Sequence, residues 1–176
     1  MSSDVPLRMR FRNLACPPPV VVPTGYSMRT YREGDAEAWC QIMSRSMGTE
    51  WTVERFFSQV HDKSVFRADG LFFATRDDYP VASACAWWLP EEDGPDIGVV
   101  HMVATDPDHR HRGLGRAVSL SVVHFMSRLK MKECVLTTYA ARPTAIRLYL
   151  SLGFEPVFDS PEAQAIWKQI LGEQTS

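Results

Sequence analysis

The period of the apolar residues changes along the chain, and that change predicts most of its elements. Residues 26–31 alternate and read as a strand. Glu33-Gly34-Asp35 is a turn, with Asp35 placed to cap a helix running to about Met47. The apolar stripe of that helix is Ala36, Trp39, Cys40, Met43 and Met47. Thr52 caps a second, short helix carrying Val53, Phe56, Phe57 and Val60. Residues 71–75 and 81–89 are strands joined by a hairpin turn at 77–80. After a polar turn at 91–95, residues 97–105 are apolar on both faces, as a central strand requires. Asp106-Pro107-Asp108-His109 turns the chain into a basic, glycine-bearing loop at 110–116. A long helix follows to about Leu129, with Val118, Val122, Phe125, Met126 and Leu129 on one face. Residues 133–139 form the next strand. Pro143 suits the first position of a helix that stops at Gly153. Residues 154–158 are a last short strand, and Ser160 opens a terminal helix over 161–171.

Residues 1–25 read as an N-terminal extension. Cys16-Pro17-Pro18-Pro19 and Pro23-Thr24-Gly25 favour extended backbone over helix. Residues 7–14 alternate only weakly, so the segment is expected either as an edge strand or dimer contact, or as a loosely attached tail. Residues 26–158 make one domain, and 159–176 a C-terminal helix and tail. The order is β, α, α, β, β, β, α, β, α, β, α: a meander, then strand–helix–strand units. It predicts an α/β (α+β) fold, a mixed, largely antiparallel sheet flanked by helices on both faces. Parallel crossovers fall only in the second half, where a ligand cleft is expected.

A chain of 176 residues fits one domain. A net charge of −2 gives no general pull toward nucleic acid or an anionic membrane, and neither is expected as a partner. No apolar run approaches a membrane span, and residues 1–12 lack the apolar core of an export signal. The four cysteines, Cys16, Cys40, Cys85 and Cys134, are widely spaced and read as reduced thiols of a cytoplasmic protein. The five histidines have no metal-site spacing, so no metal is expected.

The chemistry points to Arg110-His111-Arg112-Gly113-Leu114-Gly115-Arg116, between a buried strand and a long helix. A helix start offers unpaired N–H groups and a positive dipole end. Glycines admit an anion close to the backbone, and the arginines add charge. Such a loop suits a diphosphate. A P-loop is excluded, because no Gly-Lys-Ser/Thr follows. The rival is a dinucleotide fingerprint, with Glu133 as the ribose acid. Against it, Val118 is too large for the third glycine's place, and Glu133 begins its strand rather than ending it. A plain glycine turn with solvated charges is the third reading.

These residues resemble the GCN5-related N-acetyltransferases. That family's signature, Arg/Gln-x-x-Gly-x-Gly/Ala at the start of the central helix, is matched from Arg110 to Gly115. A second signature is matched by Ala145-Ile146-Arg147-Leu148-Tyr149-Leu150-Ser151-Leu152-Gly153-Phe154. The resemblance covers roughly residues 26–158 and implies an acetyl-CoA-dependent N-acetyltransferase domain there. It implies a sheet splayed between its two middle strands, with the coenzyme in that gap. Acetyl-CoA would meet Met102, Val103 and Thr105 on the strand, Arg110, His111, Arg112, Gly113, Leu114, Gly115 and Arg116 in the cradle, and Tyr149. Backbone N–H groups of residues 112–116 would hold the pyrophosphate, and the N–H of Val103 would face the thioester carbonyl. Tyr149 would protonate the departing sulfur, although its place on one helical face with Ala145, Leu148 and Leu152 also suits a plain core aromatic.

Two departures matter. Some members carry a glutamate base where this chain has Val99, which cannot take a proton. His101 shares that strand face, and serotonin N-acetyltransferases are similar in having a histidine at the matching place. His101 is therefore a candidate base, or else a core histidine that shapes the cleft. Glu50 is a second candidate. Arg142 stands where many members have asparagine, and it is left unassigned. Trp51, Phe56 and one of Trp87 and Trp88 are candidates to line the acceptor pocket, and Glu91-Glu92-Asp93 could draw a cationic one. The acceptor implied is an amine of a small molecule or a protein. The alternative is an acetyl-CoA-binding sensor or a silent interaction module. A homodimer through the end segments is the one further partner considered.

Overall fold

The computed structural model describes residues 5–172. Residues 1–4, part of the stretch read as lacking an export signal, and the tail 173–176 lie outside the described residues. The strands are β1 (Pro6–Phe11), β2 (Ser27–Thr30), β3 (Leu71–Arg76), β4 (Tyr79–Trp87), β5 (Ile97–Thr105), β6 (Glu133–Tyr139) and β7 (Glu155–Pro156). The helices are α1 (Ala36–Met47), α2 (Val53–Phe56), α3 (Leu114–Arg128), α4 (Pro143–Leu152) and α5 (Pro161–Gly172). The strands form one sheet in the order β2-β3-β4-β5-β6-β1-β7. Every pairing is antiparallel except β5 with β6.

Local chemistry explains the joints. Asp77 (φ 51°) and Asp78 (φ 65°) make the left-handed hairpin turn between β3 and β4, the geometry that matches strand twist. Pro156 has no N–H, so β7 ends after two residues instead of running over 154–158. Thr52 caps α2 by accepting from the Arg55 N–H at 3.2 Å, and the helix continues as a π-turn over Phe57–His61. Asp35 does precede α1, but its carboxylate makes no cap. It accepts instead from both Arg29 Nη atoms, at 2.6 and 2.9 Å, and from the Arg32 N–H at 2.7 Å.

The N-terminal segment differs from a loosely attached tail. β1 lies inside the sheet, paired with β6 along its whole length and with β7 at Met9 and Arg10. Leu7, Met9 and Phe11 are buried in the core, while the arginines between them alternate to the other face. That alternation is a half-buried strand whose outer face is basic. The chain then runs back along α3: Ser127 Oγ donates to the Leu14 carbonyl at 2.6 Å, and His124 Nε2 lies 2.8 Å from the Pro18 carbonyl. With the sheet below and this strap alongside, α3 is buried nearly all round rather than on one face. Ala163, Ile166 and Trp167 of α5 join the same core. The opposite face of the sheet carries a second core built from Trp39, Met43, Phe56, Leu71 and Phe73.

Leu7 is fully buried, so Leu7→Ala should cost about 2–5 kcal/mol in urea unfolding. An unchanged midpoint would return the segment to the status of a tail.

Candidate active site

The site begins where the sheet parts. β5 and β6 pair only at Ile97–Glu133, Gly98–Cys134 and Val99–Val135. Beyond that point β6 stays with β1, through Leu136–Met9 to Tyr139–Pro6. β5 stays with β4, and the two middle strands diverge. The expected splay is therefore present, at the expected strands. Its cause is one extra residue on β5. Cys85 pairs with His101 and Ser83 with Ala104, so three steps on β5 face two on β4. Met102 takes up the difference at φ 54°, the left-handed region, which a non-glycine residue adopts at a cost. Neither Met102 nor Val103 has a register partner on β4 or β6. The sequence carries no signal for this bulge, since no glycine marks it.

The bulge sets the side chains. His101 and Met102 both turn toward the α1 face: His101 stacks on Trp87 with ring centroids 5.5 Å apart, and Met102 packs on that core. Val103 turns to the α3 face. Burial lowers the His101 pKa from its ordinary value, so the imidazole is neutral at physiological pH. Its nitrogens have no protein hydrogen-bond partner among the described residues, so His101 is not a hydrogen-bonded core histidine.

The cradle closes the end of β5. Asp106 accepts from the Asp108 N–H at 2.9 Å, and Arg45 reaches Asp106 at 2.5 Å and Asp108 at 2.8 Å, tying α1 to this turn. His111 (φ 60°) and Gly113 (φ 82°) are both left-handed, and turns of this hand gather successive N–H groups around a concavity. No side chain caps α3, and no acidic residue lies in its first turn. Among the described residues, the first amides of the helix thus lack protein acceptors. A Cβ on Gly115 would lie 3.3 Å from Leu148 Cδ2 and 3.7 Å from Thr105 Oγ1, so a small residue is needed for this corner to stay open. Arg110 bonds the Thr105 carbonyl and Ser46, and Arg116 bonds Ser151. The side chains of His111 and Arg112 project outward with no hydrogen bond among the described residues. Pro23 and Tyr26 were not read as neighbours of this site. Pro23 Cγ is 3.7 Å from where a Gly113 Cβ would stand, and the Tyr26 hydroxyl lies 3.0 Å from His109 Nδ1.

Tyr149 comes from α4, whose deeply buried residues are Ile146, Tyr149 and Leu152. Its ring packs on Phe154 at 5.9 Å. The hydroxyl makes no hydrogen bond among the described residues, yet it is not among the fully buried unpartnered polar atoms. The ring is core and the hydroxyl is free. Burial pushes the phenol up to about 12, while the charge of Arg142 pulls it back down.

Around the gap, Trp87 stands beside His101, whereas Trp88 packs against the core of the other face. Trp51 abuts Trp39 at 5.0 Å and lies under the Arg55 guanidinium at 3.9 Å. Phe56 is fully buried in the core of the α1 face. Glu50 is exposed in the α1–α2 loop, with no ion pair among the described residues. The turn over 91–93 is not a free acidic tip, because Asp93 pairs with Arg8 of β1. A recess of about 520 Å³ lined by Tyr31, Glu33, Glu37, Phe57 and His61 lies at the β2 edge. It is three strands from His101, about 14 Å, with Trp39 and Phe56 filling the core beneath that side of the sheet. Burial raises the thiols of Cys40, Cys85 and Cys134, which keeps them protonated.

Fold and cradle together are those of the GNAT class. The profile of the Acetyltransferase (GNAT) family matches residues 36–154, and the chain belongs to that family. It is 31% identical over 169 residues to a mycothiol acetyltransferase of Acidothermus cellulolyticus, covering 84% of this chain and 50% of that protein. The chain spans about half the length of the curated relatives it matches. In structure it is similar to a GCN5-related N-acetyltransferase from Sphaerobacter thermophilus, with a TM-score of 0.71 at 23% identity over 86% of this chain and 48% of that one. A Mycobacterium tuberculosis protein solved in complex with CoA and NLQ has a TM-score of 0.59 at 16% identity, over 82% and 81% of the two chains. Both the family and the mixed-sheet fold class expected from the sequence are borne out.

The depressed His101 pKa has a consequence for stability. Below its ordinary pKa, about 6.5, the unfolded chain binds the proton more readily than the folded one. This group therefore stabilises the fold above that pH and loses its contribution as pH falls. His101→Gln should show a shallower acid loss of melting temperature than the parent; an identical slope would show that His101 carries no such shift.

Proposed function

We propose that this chain transfers an acetyl group from acetyl-CoA to an amine by direct attack within a ternary complex. The observation that carries the reading is the uncapped, glycine-opened start of α3 beside the parted strands. The residues fit the cosubstrate: unpaired amides suit a diphosphate, and the gap beyond Val99 suits an extended arm. Bound there, acetyl-CoA supplies an electrophilic thioester carbonyl.

The chain's own groups do the rest. Amides of residues 112–116 hold the diphosphate, with Arg110, His111 and Arg112 bordering it. Met102, Val103 and Thr105 line the arm, and Val103 N–H donates to the carbonyl oxygen as charge builds there. A donor of this kind lowers the barrier by about 3 kcal/mol. His101, kept neutral by burial, accepts the amine proton directly or through water. Val99 has no proton-accepting group, which leaves His101 the better placed base; Glu50 lies out in the exposed loop. Tyr149 holds its proton at neutral pH and gives it up to the departing sulfur. The mycothiol acetyltransferases among the relatives favour a small-molecule amine related to mycothiol over a protein amine. Work in the cytoplasm fits buried, reduced thiols, and no described helix is long and apolar enough to cross a membrane.

Tyr149→Phe should lower kcat about a hundredfold while calorimetry still records acetyl-CoA binding. Unchanged turnover would remove Tyr149 from the mechanism. Gly113→Val forces a branched residue into left-handed backbone and should abolish coenzyme binding; full affinity would refute the cradle. A chain that binds coenzyme A but acetylates no amine in a broad panel would be a sensor instead.

A further inference from the structure

The ion pair between Arg8 and Asp93 joins residues 85 positions apart. Arg8 belongs to β1, and Asp93 to the turn between β4 and β5. β6 lies between β5 and β1 in the sheet, so the pair reaches across it. Alternation fixes the face on which it does so. Leu7 and Met9 lie in the α3 core, which turns Arg8 to the α1 face. Arg8 stands opposite Thr137, two residues past Val135, the last β6 residue paired with β5. His101 is two residues past Val99, the partner of Val135, and it turns to the same face against Trp87. His101 and Arg8 therefore flank the parting on one face, each one same-face step beyond the fork.

That face of β6 is uncovered. Thr137 and Tyr139 are exposed, whereas Val135, at the fork, is buried in the α1 core. An opening thus lies beyond the fork on the α1 face. His101 is on its β5 side, Thr137 and Tyr139 are on its β6 side, and the Arg8–Asp93 pair runs along its rim. An amine that meets His101 from this face passes that rim.

The pair also decides where the turn sits. The turn is bonded mainly to itself: the Glu92 and Asp93 N–H groups donate to the Leu89 carbonyl at 3.0 and 2.8 Å, and the Gly94 N–H to the Pro90 carbonyl at 3.1 Å. At its base, Lys132 holds Asp96, with its N–H on the carbonyl at 2.8 Å and its ammonium on the carboxylate at 2.6 Å. Among the described residues, Arg8 is the one hydrogen-bond or ion-pair partner that residues 90–95 have in another element. The two partners are unequal. The Asp93 side chain is 7% exposed and that of Arg8 35%. A carboxylate buried to that degree is costly without its cation, so loss of Arg8 turns Asp93 out to water and takes the tip of the turn with it. We propose that Asp93, fixed by Arg8, is a specificity-determining residue: it holds the β4–β5 turn as a wall of the acceptor entrance and limits the bulk that can trail the amine. This inference rests on the acetyltransfer reading and on entry from the His101 face.

The test compares the full chain with Arg8→Met, Asp93→Asn and the double variant, using acetyl-CoA with propylamine, benzylamine and naphthylmethylamine as acceptors. Arg8→Met keeps an aliphatic stem over the sheet, and thermal melting checks folding. Asp93→Asn, in the surface turn, keeps the test open should Arg8→Met fail to fold. The parent should favour the slimmer amines. In each single variant the ratio of kcat/KM for propylamine to that for naphthylmethylamine should fall about tenfold. The change should come through KM for the bulky amine, while KM for acetyl-CoA holds. The double variant should be no less selective than either single one, because one pair can be lost only once. Unchanged ratios in the folded single variants would overturn the proposal and leave the acetyltransfer reading standing. An equal loss of kcat for all three amines, with a lower melting temperature, would make the pair a structural tie and overturn it too. If the parent binds acetyl-CoA but acetylates no amine, the acetyltransfer reading falls and this inference with it.

Discussion

The parting of β5 from β6 after Val99 is the constraint on which the rest depends. A strand in the middle of a sheet normally has a partner on each side, and leaving its backbone groups unmet on one side costs free energy. Here the loss is arranged. β6 has β1 to pair with beyond the split, so its own far edge is satisfied. β5 carries the deficit, at Met102 and Val103, and adds the strain of a left-handed methionine. Such a defect persists only when the surroundings fix it. The fixing is visible in the Trp87–His101 stack on one face and in Val103 against the α3 core on the other. Beyond Val99 the β6-side edge of β5 borders a gap, and a free backbone donor there is where a carbonyl-bearing ligand would gain most.

Everything at the head of the gap follows from that geometry. β5 ends at Thr105, against Gly115, so the start of α3 meets the end of the strand without a side chain between them. The turn holding them is anchored twice, by Arg45 on Asp106 and Asp108 and by Arg110 on Ser46. Two of the three arginines of the loop thus have structural bonds, Arg110 to Ser46 and Arg116 to Ser151, and Arg112 is exposed without a hydrogen bond among the described residues. Positive potential here comes as much from the uncapped helix start as from side chains.

Much of this was legible in the sequence, and the misses have physical reasons. β5 and β6 were read with their full bounds because buried central strands are apolar without interruption, and Pro143 and Gly153 marked both ends of α4. The turn from β5 into α3 was legible because glycines and charged residues between a buried strand and an amphipathic helix mark a loop. β1 was misjudged because its outward residues are arginines, which look like a solvated tail until a partner strand is known. The all-round burial of α3 was missed because the strap that covers it has no periodicity of its own. The bulge at Met102 was invisible because no residue type signals it, and the Arg8–Asp93 pair spans 85 positions, beyond local pattern. Arg142 was visible only as a departure from a signature, and its place over the Tyr139 ring needed the fold.

The claim that matters most is that free amides at the front of α3 and at Val103 receive the coenzyme. An amide NMR titration with acetyl-CoA tests it without requiring turnover or an identified acceptor. The account predicts that the resonances of residues 112–116 and of Val103 shift together, with one saturating affinity, while those of β2 and the recess around Tyr31 stay in place. Saturable shifts centred on the Tyr31 recess, with the α3 amides unmoved, would contradict it.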